Sequence, residues 1–148
     1  MFKILYTKYL KKLLIFSIII AVIYIILRLA APGIVSKNLP FLIIVFLIIN
    51  AIVHYIVVKT DVQRMEFKPN ENLPKEEQMK QLTNIERKFI THYMLLTTVK
   101  LLGFLVLLVL YAMFNRPDFL LFASNFLVLY VLYSVFEIIY IKKPVVRN

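Results

Sequence analysis

Residues 97–108 read T-T-V-K-L-L-G-F-L-V-L-L, a lysine set into sequence that otherwise suits lipid. The segment belongs to a longer apolar run, 89–114, which exceeds the ~20 residues that a helix needs to cross the hydrocarbon core of a bilayer. A central lysine in such a helix costs roughly 2.5–3.5 kcal/mol on insertion scales, and charges at that depth face a bundle interior or a pathway. Lys100 therefore implies other helices in the same membrane that carry the groups facing it.

Three further runs supply them: residues 13–31, 41–58 and 119–141. The chain of 148 residues is 61% hydrophobic, far more than a soluble domain of this size needs. The runs are too long and too uniformly apolar for the strands of an outer-membrane barrel, in which lipid and lumen faces alternate. The expected fold is an all-α membrane protein, a single polytopic domain with four transmembrane helices.

The net charge of +10 is placed around these runs and forms no basic face, which argues against nucleic-acid binding. Lys3, Lys8, Lys11 and Lys12 precede the first run, seven basic residues lie in 59–88, and Lys142, Lys143 and Arg147 follow the fourth. The two opposite connections hold only Lys37 and Arg116, with Arg28 at a helix end. By the positive-inside rule both termini are cytoplasmic in the inner membrane, and two antiparallel hairpins are joined by a charged cytoplasmic loop, 59–88. The first run is long for a signal peptide and lacks an A-x-A site, so it reads as an uncleaved span.

Breakers mark the connections: Pro32-Gly33 and Asn38-Leu39-Pro40 between the first two spans, Asn115-Arg116-Pro117-Asp118 between the last two. Within 59–88, residues 74–88 suit an amphipathic helix with Met79, Leu82 and Ile85 on one side. Thr83 and Glu86 fit a capping box, so the third span starts at Thr83 or continues from that helix.

Polar residues inside the spans fall in stripes that should turn inward. The first span has Ser17, Ala21, Tyr24 and Arg28; the second has Asn50 and His54. The third has Tyr93, Thr97, Lys100 and Gly103; the fourth has Tyr130, Tyr133, Glu137 and Tyr140, with Asn125 nearer the outer end. From the helical rise, His54, His92 and Glu137 sit roughly 6–8 Å inside the cytoplasmic boundary, and Lys100 about 12 Å deeper than His92. Lys100 then lies opposite Tyr133, within reach of Glu137 one turn away. It either pairs with Glu137 or snorkels toward the cytoplasmic side. Glu137 has an alternative partner in Lys142 or Lys143. His54, His92 and Glu137 at matched depth are the candidate ligands for a metal, against the plainer reading of two interfacial histidines.

Enzyme signatures are missing: no H-E-x-x-H, Walker A loop, dinucleotide loop or G-x-S-x-G elbow occurs. With no cysteine the chain also has no thiolate nucleophile and no disulfide. A non-catalytic protein without a cofactor is expected.

The order of features resembles the ATP synthase protein I family. The resemblance lies in a basic start running into a span (Lys11-Lys12-Leu13-Leu14-Ile15), a second span with interior Asn50 ending at Lys59, and a third span with an interior lysine before an aliphatic run (Val99-Lys100-Leu101-Leu102-Gly103-Phe104-Leu105-Val106-Leu107-Leu108). A fourth span after a short turn completes it. The resemblance implies a non-catalytic membrane protein that assists assembly of the F-type ATP synthase membrane ring, with ring subunits as partners; a part in magnesium supply is also attributed to the family. Two features depart from the pattern. Thr97 stands where the family has an acid three positions before the lysine, which makes Glu137 the substitute partner, and 59–88 is longer and more acidic than the family's linker. Two other classes fit the same topology: an accessory subunit of another membrane complex, held by the tyrosine-rich face of the fourth span, or an oligomeric ion transporter or channel component.

Overall fold

The computed structural model describes residues 1–141. It is all-helical there, without strands: α1 (Phe2–Ala30), α2 (Leu39–Glu66), α3 (Lys75–Phe114), one turn of 3-10 helix (Arg116–Asp118) and α4 (Phe119–Ile141). Each of the four long helices is long and apolar enough to cross a membrane. Lys142, Lys143 and Arg147, and with them any pairing of Glu137 to the tail, lie outside the described residues.

The stops follow the local chemistry. α1 ends at Ala30, just before Pro32, which cannot continue a helix and biases its predecessor toward extended backbone. α2 begins at Leu39 with Pro40 in its first turn, where a missing N–H is harmless. α3 starts after Pro74 with Glu76 and Glu77 in its first turn, acids at the positive end of the helix dipole.

The helices outrun the apolar runs. α1 extends back through the basic residues to Phe2, and α2 continues seven residues past Lys59, to Glu66. The segment 59–88 is therefore not a loop over most of its length; the connection proper is 67–74, closed by Asn70, whose side chain accepts from the Asn72 N–H at 3.1 Å. The capping box at Thr83 does not form. α3 runs unbroken through it, and the Thr83 hydroxyl bonds back to the Met79 carbonyl at 2.9 Å, as a mid-helix threonine does. Met79, placed by periodicity on the apolar side, is 63% exposed.

α2 is the helix around which the others pack: 44% of its apolar window is buried, against 11% for α3. It touches α1, α3 and α4. The core follows one stripe on each helix, with Tyr9, Leu13 and Ile20 from α1, and Leu42 and Phe46 from α2. Phe104 of α3 and Phe122, Phe126, Leu129 and Tyr133 of α4 complete it. Much of the remaining apolar surface faces outward, as on a helix bathed in lipid. α1 and α4 meet through long side chains, with Phe16 stacked on Phe136 at 4.6 Å and Ser17 Oγ 2.7 Å from Tyr133 Oη.

Candidate functional site: a buried ion pair between aromatic layers

The inward stripe of α3 is Phe89, Tyr93, Leu96, Lys100, Phe104 and Tyr111, a 4-3-4-4-7 spacing that keeps one helix face on the bundle. Lys100 thus points inward and is 7% exposed. It does not snorkel. Its ammonium donates to Glu137 Oε2 at 2.8 Å and to Asn50 Oδ1 at 2.7 Å. Three helices meet at this one nitrogen: α2 through Asn50, α3 through Lys100 and α4 through Glu137.

Asn50 is oriented from its own helix. Its amide donates to the Phe46 carbonyl one turn earlier at 2.7 Å, which leaves the oxygen aimed at the lysine. This arrangement suits the chemistry, because an ammonium has three donors and no acceptor, and an amide oxygen and a carboxylate oxygen satisfy two of them. Glu137 is 6% exposed, and its second oxygen, Oε1, has no hydrogen-bond partner among the described residues.

The ion pair lies between two aromatic layers, because each partner has a ring one turn away. On one side are Phe46, Phe104 and Tyr133, from α2, α3 and α4, with Phe46 stacked on Phe104 at 4.4 Å and 5.3 Å from Tyr133. On the other side Tyr9 of α1 stacks on His54 of α2 at 3.3 Å and meets Tyr140 of α4 edge-on at 5.3 Å. The layers keep the pair at low dielectric, where its attraction is strong and the loss of either partner is expensive.

The other sequence candidates separate. Tyr133 is 1% exposed and is held by Ser17. Tyr130 and Tyr140 are half-buried against the core, so the tyrosine face of α4 turns inward and offers no docking surface. Thr97 and Gly103, placed on the inward stripe by the sequence, lie on the exposed face instead; Thr97 Oγ1 bonds to the Tyr93 carbonyl of its own helix at 2.9 Å. Asn125 bridges toward the connection between α1 and α2, donating to Leu121 O at 2.6 Å and Ile34 O at 3.3 Å. The metal candidates do not converge. His92 is exposed, with Nδ1 3.0 Å from the Lys88 carbonyl, while His54 is buried under Tyr9. Among the described residues no group of three His, Asp or Glu side chains stands close enough to hold a metal.

A second polar cluster was missed. At the end of the bundle formed by 31–38 and 115–118, Asp118 Oδ2 accepts from Ser36 Oγ at 2.6 Å and from Tyr111 Oη at 2.7 Å, and Tyr111 accepts from Asn38 Nδ2 at 2.6 Å. Asn38 and Asp118 read in the sequence only as turn residues. The available signal was Tyr111, in phase with Lys100 and Phe104 along α3. No family model, curated protein or solved structure matches the chain.

Proposed function

We propose that this chain is a non-catalytic integral membrane protein, with both termini and the 67–74 connection in the cytoplasm, that assists assembly of the F-type ATP synthase membrane ring. The observation that carries the reading is the Lys100 ammonium held by a carboxylate at 2.8 Å whose other oxygen has no partner. Ring subunits present a carboxylate near mid-membrane. Such a carboxylate would replace Glu137 on Lys100 with little loss, because the lysine stays paired throughout, whereas an unpaired buried charge is costly. The order of spans and the interior lysine, shared in outline with the ATP synthase protein I family, point the same way. The two hairpins would then be α1–α2 and α3–α4, with the basic ends of the helices inside.

The test is recovery of assembled ring from cells carrying Lys100→Ala, alongside cross-linking of the protein to the ring subunit. Reduced ring recovery is expected, with Glu137→Gln, which frees the lysine, strengthening the cross-link. Normal ring assembly in Lys100→Ala removes the reading.

An accessory role in another membrane complex is the second reading, favoured by the outward apolar faces of α1 and α3, such as Leu29 at 82% and Phe114 at 85% exposure. Co-purification of subunits of that complex, with no ATP synthase subunit, would decide for it. A transport route through one copy is disfavoured by the Phe46–Phe104–Tyr133 layer, which fills the bundle beside the only buried ion pair among the described residues.

A further inference from the structure

Beneath the Tyr9–His54 layer, at the end of the bundle away from Asp118, a cavity of about 270 Å³ opens between the helices. Its walls come from all four: Lys8, Tyr9 and Lys12 of α1, His54, Val57 and Arg64 of α2, Phe89 of α3 and Tyr140 of α4. Three residues of its wall carry a buried polar atom without a hydrogen-bond partner among the described residues: Tyr9 Oη, His54 Nδ1 and Asp61 Oδ1, the last ion-paired to Arg64 at 2.6 Å.

The charge of the cavity says what kind of occupant. Arg64 is spent on acids, with Asp61 at 2.6 Å and Glu86 at 3.1 Å, and its guanidinium lies over the Phe89 ring at 4.3 Å. Asp61, which also lines the cavity and would repel an anion, is neutralised by that contact. Lys8 and Lys12 have no carboxylate partner among the described residues; Lys12 rests its ammonium over the Tyr140 ring at 5.1 Å. Two lysines at the rim present donors to an oxyanion. The apolar part of the wall, Val57 and Phe89, accommodates carbon attached to it.

We propose that this cavity binds a phosphate group, taken from an anionic phospholipid headgroup or from free phosphate. Basic pockets between transmembrane helices bind lipid phosphates by this chemistry. The size admits a headgroup but not a whole lipid, whose chains would lie along the outward apolar faces. Lys8 and Lys12 hold the phosphate oxygens. The inference does not rest on the ring-assembly reading, and its test involves no ATP synthase.

The full-length protein in a neutral maltoside detergent is titrated with dihexanoyl-phosphatidylglycerol, dihexanoyl-phosphatidylcholine or inorganic phosphate, and binding is followed by calorimetry. Saturable one-to-one binding of phosphatidylglycerol is expected. It should weaken about thirtyfold in Lys8→Gln with Lys12→Gln. Lys3→Gln with Lys11→Gln removes the same charge from outside the cavity and should bind as the parent does. Inorganic phosphate binding as tightly as phosphatidylglycerol, with the same dependence on Lys8 and Lys12, assigns the free ion as the source. The proposal is overturned if neither phosphate probe saturates, if phosphatidylcholine binds equally well, or if the two double variants lose affinity equally.

Discussion

The bundle holds two carboxylates that each tie helices together, and they are built for different surroundings. Asp118 collects neutral donors, the hydroxyls of Ser36 and Tyr111, beside a turn open to solvent. Glu137 takes a full ammonium from Lys100, buttressed by Asn50, between layers of rings. Where water is near, a carboxylate keeps its charge with hydroxyl partners, and an ion pair would add little. Where water is excluded, a charge persists only beside its opposite, and the pair becomes sensitive to the loss of either member. The two sites therefore make opposite demands on their partners.

That contrast is broken most severely at Glu137. Glu137→Ala leaves Lys100 with a single neutral acceptor in a dry interior and should destabilise the fold by about 3–5 kcal/mol. Equilibrium unfolding in mixed micelles measures it. The paired change Lys100→Met with Glu137→Leu removes both charges and should recover most or all of that loss, because an apolar pair avoids the desolvation penalty. A double variant no better than the single would mean that the charge itself holds the bundle in register.

Asn50→Leu is the next step down. It deletes one of the two oxygens on the lysine while leaving the ion pair, so the expected loss is about 1.5–3 kcal/mol, the range for a hydrogen bond to a charged group. The same unfolding assay reads it, and a loss equal to that of Glu137→Ala would make the amide, not the carboxylate, the lysine's main support.

How far the sequence leads differs between the two sites for a physical reason. Four apolar runs bracketed by lysines led to four helices because the bilayer demands both length and apolarity, and few other folds write that pattern. Lys100 and Glu137 were legible as a reachable pair because ionisable residues in such runs are rare and must face something. Asn50 was legible only as inward-facing; its place on the lysine depends on how α2 rotates against α3, which no periodicity states. Thr97 and Gly103 went to the wrong face because polarity alone was used to phase α3. Phasing by the rings at Phe89, Phe104 and Tyr111 gives the observed face, since large side chains fill a core whereas a threonine that bonds its own helix can face lipid. The Asp118 cluster was illegible because its members, Ser36 with Asn38, Tyr111 and Asp118, come from three separate segments and leave no local spacing to read. Residues 74–88 were legible as a helix, whereas the extension of α2 from Lys59 to Glu66 was read as part of a loop because its charges match solvent, and a solvated helix carries charges just as a loop does.

Asp118→Ala sharpens the comparison from its weaker side. It strands the hydroxyl of Ser36, a fully buried residue, and releases Tyr111. Nearby water offers the Tyr111 hydroxyl a substitute acceptor, so the loss should be about 0.5–1.5 kcal/mol after allowance for solvent screening. Amide hydrogen exchange should place the effect locally, with faster exchange in 31–38 and 115–118 and unchanged protection around Lys100. Faster exchange at Lys100 would mean that the two clusters are coupled through α3.

The smallest effect is expected at Thr97, three residues before the lysine, where the family resemblance anticipates an acid. Its hydroxyl bonds to Tyr93 of its own helix, at 2.9 Å from the carbonyl, and its side chain is exposed on the outer face of α3. Thr97→Val keeps the shape, removes no contact between helices and suits lipid, so the unfolding midpoint should move within the ±0.5 kcal/mol typical of neutral exposed sites. A larger loss would mean that α3 is rotated so that Thr97, and not Glu137, governs the surroundings of Lys100. An unmoved midpoint leaves the carboxylate of α4 as the acid that this chain places on its buried lysine.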